Sequence, residues 1–195
     1  MPARWSSRAG SRRLLSATRA WLYRICCRIY LPGSCERRSA PAPHIIGPYH
    51  AYELTNYRDL LAEQQAMDNC LDRFGRRIAS GAFAIFSLRL PTGERVANFE
   101  VGLQGSDGPV VTEFQGRSNE PLAPEIFNPV VQWVAASSTL LRRAPVDQSK
   151  LETDAAARFA ELVAPYVDSH KEALASYGAV TLFDLETDLA ELAQR

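Results

Sequence analysis

The chain has 195 residues, 46% hydrophobic and 23% charged, which excludes a disordered polymer or a fibre and allows one domain with a real core. Its formal net charge of zero hides an uneven split: residues 1–40 hold nine arginines against one acid, Glu36, and the remainder carries the compensating deficit. An acidic domain of this kind excludes a global attraction to nucleic acid, which needs clustered positive charge.

The arm comes first. On a helical wheel, Leu14, Thr18, Trp21, Leu22, Ile25 and Ile29 gather on one side, and Arg12, Arg13, Arg19, Arg24 and Arg28 on the other. The internal arginines break the apolar run, so no transmembrane segment is expected and the "SRRLL" stretch does not make an export signal. An Arg- and Ser-rich, acid-poor leader also suits an organelle presequence. Two readings stand side by side: an arm that binds nucleic acid or a membrane surface through those arginines, or a poorly ordered extension. Cys26, Cys27 and Cys35 lack the spacing of zinc ligands, and the domain has no cysteine pairing framework, which fits a reducing, cytoplasmic setting. The Pro-rich stretch from Ser39 to His50 reads as a linker. These features divide the chain into an arm and linker, 1–47, and one domain, 48–195.

Within the domain, Tyr52–Gln65 reads as a helix with Leu54, Tyr57 and Leu61 inward and Leu60 as a further inward candidate. A second helix is expected from Met67 to Ala79, capped by Asp68 or Asn69 and closed by Gly81. Met67, Cys70, Leu71, Phe74 and Ile78 make its apolar stripe. Two strands follow, 82–90 and 95–103, joined by a Pro-Thr-Gly turn. Pairing Phe86 with Phe99, Leu88 with Ala97 and Ala84 with Val101 puts all the aromatic and aliphatic pairs on one face. The other face carries Ile85, Ser87, Arg89, Val96, Asn98 and Glu100, either a covered polar network or a shallow site. A third strand, 109–115, completes a meander. Helices are expected from Asn128-Pro129 to Leu141, then at 148–163, 165–176 and 184–193, with 179–183 a possible short strand instead. The fold class is α+β: a small antiparallel β-meander with helices from both flanks.

Glu63, Met67, Asn69, Cys70, Phe74, Gly81, "FSLR" (86–89), Glu100, Gly116 and Asn119 occur in an ordered series between 54 and 122. In that series the chain resembles the PcfJ-like family of bacterial and mobile-element proteins. The resemblance implies an accessory or adaptor role in conjugative DNA processing, with a protein or nucleoprotein partner and no defined reaction.

Cys70 has two readings. A thiol at a helix start is activated by the free N–H groups there, and with Glu100 or His170 as partner it makes a nucleophile. On an apolar stripe it is a small hydrophobe. Arg89 suits a phosphate or carboxylate, or else a cross-strand network with Ser87 and Glu100. Asn69, Asn119 and Gly116 complete the candidate binding residues, the last two as positions that tolerate positive φ. Trp133, Phe127, Val130 and Val131 read as core. No Walker loop, GxSxG, HExxH or CxxC motif appears, and neither a metal nor a cofactor is implied. The expected recognition surface is the polar hairpin face with the 116–120 loop.

Overall fold

In the computed structural model, which describes residues 23–32, 42–104 and 108–169, strands β3 (Phe83–Arg89) and β4 (Arg95–Gly102) pair antiparallel in the register that side-chain parity requires. Phe86 faces Phe99, Leu88 faces Ala97 and Ala84 faces Val101. The register slips between Leu88 and Arg89, so Arg89 lies opposite Arg95. β5 (Val110–Gln115) adds to β4, with a second irregularity between Glu100 and Val101.

The sheet is wider than the meander. β1 (His44–Ile46) and β2 (Tyr49–Glu53) form a hairpin through Gly47-Pro48, and β2 adds to β3, giving the antiparallel order β1-β2-β3-β4-β5. The helix expected from Tyr52 is therefore corrected. Tyr49-His50-Ala51-Tyr52 alternates faces with a period of two, and bulky aromatics fit a pleated surface. Helix α2 starts only at Tyr57 and ends at Met67. Asn56 starts it: its side-chain oxygen accepts from the Arg58 and Asp59 backbone N–H groups at 3.1 and 3.0 Å. Replacing that cap, Asn56→Ala, is expected to lower stability by about 1 kcal/mol, read as the urea midpoint at constant slope.

The single helix expected from Met67 to Ala79 is also corrected. Asp68, with φ 52°, closes α2 in the left-handed region; a 3-10 turn, Leu71–Arg73, and the short helix α3 (Gly75–Ala79) follow. Gly81 does take the left-handed conformation just beyond, with φ +73°.

One sheet face meets α4 (Pro124–Ala136) and α5 (Ser138–Leu141). Phe86 and Phe99 stack at 4.9 Å and Trp133 meets Phe86 edge-on at 5.7 Å, over buried Val130, Val134 and Leu141. Each such buried side chain contributes about 1.5–3 kcal/mol of transfer free energy. Phe127 and Val131 stay on the exposed rim. α4 begins at Pro124 rather than at Asn128, because Pro124 supplies the preset φ of a first helical position.

The other face is covered by α2, α3 and a helix, α1, at residues 23–30. Cys27 and Leu31 pack with Leu54, Leu60, Leu71 and Ile85. Ile29 and Tyr30 pack with Ala155 and Phe159 of α6 (Gln148–Ser169), which runs as one helix through Pro165. Residues 23–31 and 44–46, assigned by the sequence to an arm and linker, thus belong to the packed fold. The apolar side of α1 is consumed by these contacts, leaving Arg24 and Arg28 exposed. The elements expected at 179–183 and 184–193, and Arg12, Arg13, Arg19 and His170, lie outside the described residues.

Candidate functional site: a polar layer with one open edge

Leu60, Glu63 and Met67 are the buried residues of α2, spaced three and four apart on the stripe that faces the sheet. An acid in that stripe is buried by periodicity and needs partners on the opposing face. Ser87, Arg89 and Asn98 are the polar residues β3 and β4 turn toward it. Glu63 is 0% exposed. Its Oε1 accepts from Ser87 Oγ at 2.7 Å and Asn98 Nδ2 at 3.1 Å. Its Oε2 accepts from Arg89 Nη2 at 2.9 Å and Arg95 Nε at 2.8 Å. The register slip is what brings two like charges, Arg89 and Arg95, side by side, and the Glu63 carboxylate reconciles them. Arg89 also donates from Nε to Ser87 Oγ at 2.8 Å and lies over the Tyr52 ring at 4.9 Å. With four donors on two oxygens, this group is saturated.

Asn69 continues the layer. Its Nδ2 donates to Asn98 Oδ1 at 2.7 Å. Beyond Asn98 sits Glu100, 4% exposed. Its Oε1 accepts from Arg77 Nη2 at 2.9 Å and Thr112 Oγ1 at 2.6 Å. Arg77 is held over the Phe83 ring at 4.1 Å and Phe74 at 5.2 Å. The buried Oε2 of Glu100 has no hydrogen-bond partner among the described residues. Glu113 stands directly across the strands from Glu100 and accepts at Oε1 from Gln115 Nε2 at 2.7 Å.

Here the layer opens. A half-enclosed cleft of about 30 Å³, room for one or two water-sized groups, is bordered by Glu100, Glu113, Asn69, Cys70, Phe74 and Asn119. Asn119 stands on the rim in the 3-10 turn Arg117–Asn119, where Ser118 and Asn119 adopt φ of 53° and 61°. Ser118 Oγ donates to Asp68 Oδ2 at 3.0 Å, tying this turn to the left-handed end of α2. Positive φ at consecutive non-glycine residues is strained backbone of the kind that accumulates at sites. Gly116, expected in that conformation, has φ −82°. It is needed for space, since a Cβ there would meet Leu122 Cδ2 at 3.2 Å and the Glu120 carbonyl at 3.3 Å.

The predicted residues therefore separate. Asn69, Cys70, Glu100 and Asn119 converge on the cleft. Ser87 and Arg89 belong to the saturated Glu63 group, and Ser87, at 0% exposure, is out of reach of any partner. The polar hairpin face is not an open recognition surface, because α2 covers it. Glu63 stands in the sequence only as a member of the resembling series, and Arg77, Arg95 and Glu113 carry no signal there; what marks Glu63 as a buried site residue is its place in step with Leu60 and Met67.

Cys70 lies on the Glu100 side of the sheet, partly exposed, at the N-cap of the 3-10 turn rather than of an α-helix. It follows the left-handed end of α2, and the three-residue 3-10 turn after it is too short to sum the dipole of a helix. His44 packs against Trp133 and Phe86 on the opposite face, and His50 sits on β2 opposite Arg89. Cys27 differs: buried completely, with Asp72 and Cys26 near, its thiol is pushed up to about 12, first by desolvation. Burial likewise pushes the Asp72 carboxyl up, opposed by a hydrogen bond from Gln64. Iodoacetamide at pH 8 is expected to modify Cys70 and leave Cys27 untouched in the folded protein, as read by peptide mass spectrometry. Modified Cys27 with unmodified Cys70 would contradict the placement of both.

Among the described residues no group of three or more His, Cys, Asp or Glu side chains is placed to hold a metal ion, and no helix is long and apolar enough to cross a membrane. The chain matches no family model, no curated protein and no solved structure.

Proposed function

We propose that the chain is an accessory or adaptor module of the PcfJ-like kind, acting in the cytoplasm with the DNA-processing machinery of a mobile element, and that the cleft beside Glu100 is where it meets a protein partner. The observation that carries this reading is the division of the polar layer. The Glu63 group is saturated and sealed, which is the signature of a structural polar network. The open edge presents two carboxylates and several amides in a space too small for a substrate of ordinary size. A cysteine without a histidine beside it among the described residues gives that edge recognition chemistry rather than acyl or phosphoryl transfer.

A photo-crosslinking residue at Gln115, the half-buried last residue of β5 on the border of the cleft, tests this in cells of the source organism. The expected products join the chain to a protein of the DNA-transfer apparatus, and they disappear when Glu100→Gln is added. Crosslinks confined to metabolic enzymes would overturn the adaptor reading.

A further inference from the structure

Within this molecule each buried carboxylate of the polar layer is filled by guanidinium groups, and the two are filled unequally. Glu63 takes two, from Arg89 and Arg95, plus Ser87 and Asn98. Glu100 takes one, from Arg77, plus Thr112, all at Oε1. Its Oε2 is buried and unpartnered, and Glu100 is one of the residues that border the cleft. A buried carboxylate oxygen left bare is costly, and its cross-strand neighbour Glu113 adds a like charge. The two charged residues bordering the cleft are both acids.

We propose that the cleft is a receptor for one arginine side chain of a partner polypeptide, a proposal that rests on the adaptor reading and specifies the partner's chemistry. On entry the guanidinium widens the cleft, supplies the second cation that Glu100 lacks, and donates to the uncovered Oε2 and to the Glu113 carboxylate. Asn69, Asn119 and Phe74 also border the cleft and surround that position with amide and aromatic groups. A comparable set of carboxylate, neutral polar group and aromatic ring already holds Arg89, between Glu63, the Ser87 hydroxyl and the Tyr52 ring at 4.9 Å. Lysine is a poorer occupant. Its ammonium is a compact, strongly hydrated point charge, whereas a guanidinium is planar, weakly hydrated and directs five donors in a fixed fork. Charge-assisted bonds of this kind are about twice as strong as neutral ones.

The test uses the full chain, labelled with nitrogen-15, and three peptides, acetyl-Gly-X-Gly-amide with X as arginine, lysine or citrulline. Citrulline keeps the shape of arginine and removes the charge. The arginine peptide is expected to shift the side-chain amide signals of Asn69, Asn98 and Asn119. The citrulline peptide is expected to bind on the order of tenfold more weakly or worse, the loss of one charge-assisted contact. Lysine should fall between them. Glu100→Gln should weaken the arginine peptide similarly. Glu113→Gln, on a half-exposed strand, should weaken the arginine peptide in the same way. Equal binding of arginine and citrulline, equal binding of arginine and lysine, or no shift at these amides overturns the proposal. Arginine binding at the cleft, in a protein whose crosslinked partners are unconnected with DNA processing, would uphold the receptor and overturn the adaptor role.

Discussion

Glu63→Ala is expected to lower the unfolding free energy by about 3–5 kcal/mol, the range for removing one partner of a buried ion pair. Two effects add. Arg89 and Arg95 lose their shared counter-ion while their side chains remain only 23% and 32% exposed. Ser87 and Asn98 lose an acceptor in a place water does not reach, each at about 1–3 kcal/mol if left unpaired. Partial relaxation of the two arginines toward solvent keeps the total from reaching the sum. Glu63→Gln is expected to be milder, about 2–3 kcal/mol, because its oxygen still serves Ser87 and Asn98 while its amide faces the arginine donors. Urea unfolding at low and high salt checks both. The loss should be nearly independent of salt, since buried pairs are screened little, unlike the exposed Arg76–Glu152 pair at 3.1 Å. A loss below about 1 kcal/mol would mean that the Glu63 group is no more than an exposed ion pair.

The second large effect concerns α1. A Cβ built at Gly75 falls 2.7 Å from Cys27 Cα, a backbone atom, with nothing flexible to yield. Helix propensity alone favours alanine over glycine by about 0.5–1 kcal/mol. Overpacking a fitted contact costs about 1–3 kcal/mol, so the steric term wins. Gly75→Ala is therefore expected to destabilise by about 1–2 kcal/mol, by setting those two ranges against each other. It should also loosen α1, which carries buried Cys27, Ile29, Tyr30 and Leu31. Cys27 reports this directly. Inert to iodoacetamide in the parent, it should become reactive in the variant at neutral pH. A variant at least as stable as the parent, with Cys27 still protected, would show that α1 does not rest on Gly75.

The strand register was legible in the sequence because one face of the hairpin is unambiguous: only one parity puts Phe86, Leu88, Phe99 and Val101 together. The polar face was recognised as a group, and Asn69, Cys70, Glu100 and Asn119 do meet. Three things were hidden. The helical stripe Met67-Cys70-Leu71-Phe74-Ile78 has the right spacing for one helix, yet the chain turns left-handed at Asp68 and starts again at Gly75. Local periodicity does not register such a break when the same residues stay inward on both sides of it. β2 was read as helix because Leu54 and Tyr57 fit a 3.6-residue period, although Asn56 marks the true start. And α1 was set aside with a basic arm because its arginines dominate the composition, while its burial depends on α6 and Gly75, both remote in sequence.

The division of the polar layer into a sealed group and an open receptor is the centre of this account, and the unfolding free energy of Glu100→Gln tests it most directly. Glu100 leaves one oxygen unpartnered, faces Glu113 across the strands, and pairs with Arg77, whose side chain is 46% exposed and free to return to water. A neutral amide of the same shape keeps an oxygen for Arg77 and Thr112 and should leave stability within about 1 kcal/mol of the parent, the scale of one net hydrogen bond. A loss of about 3 kcal/mol or more, matching Glu63→Ala, would make Glu100 a second structural hub and contradict the receptor.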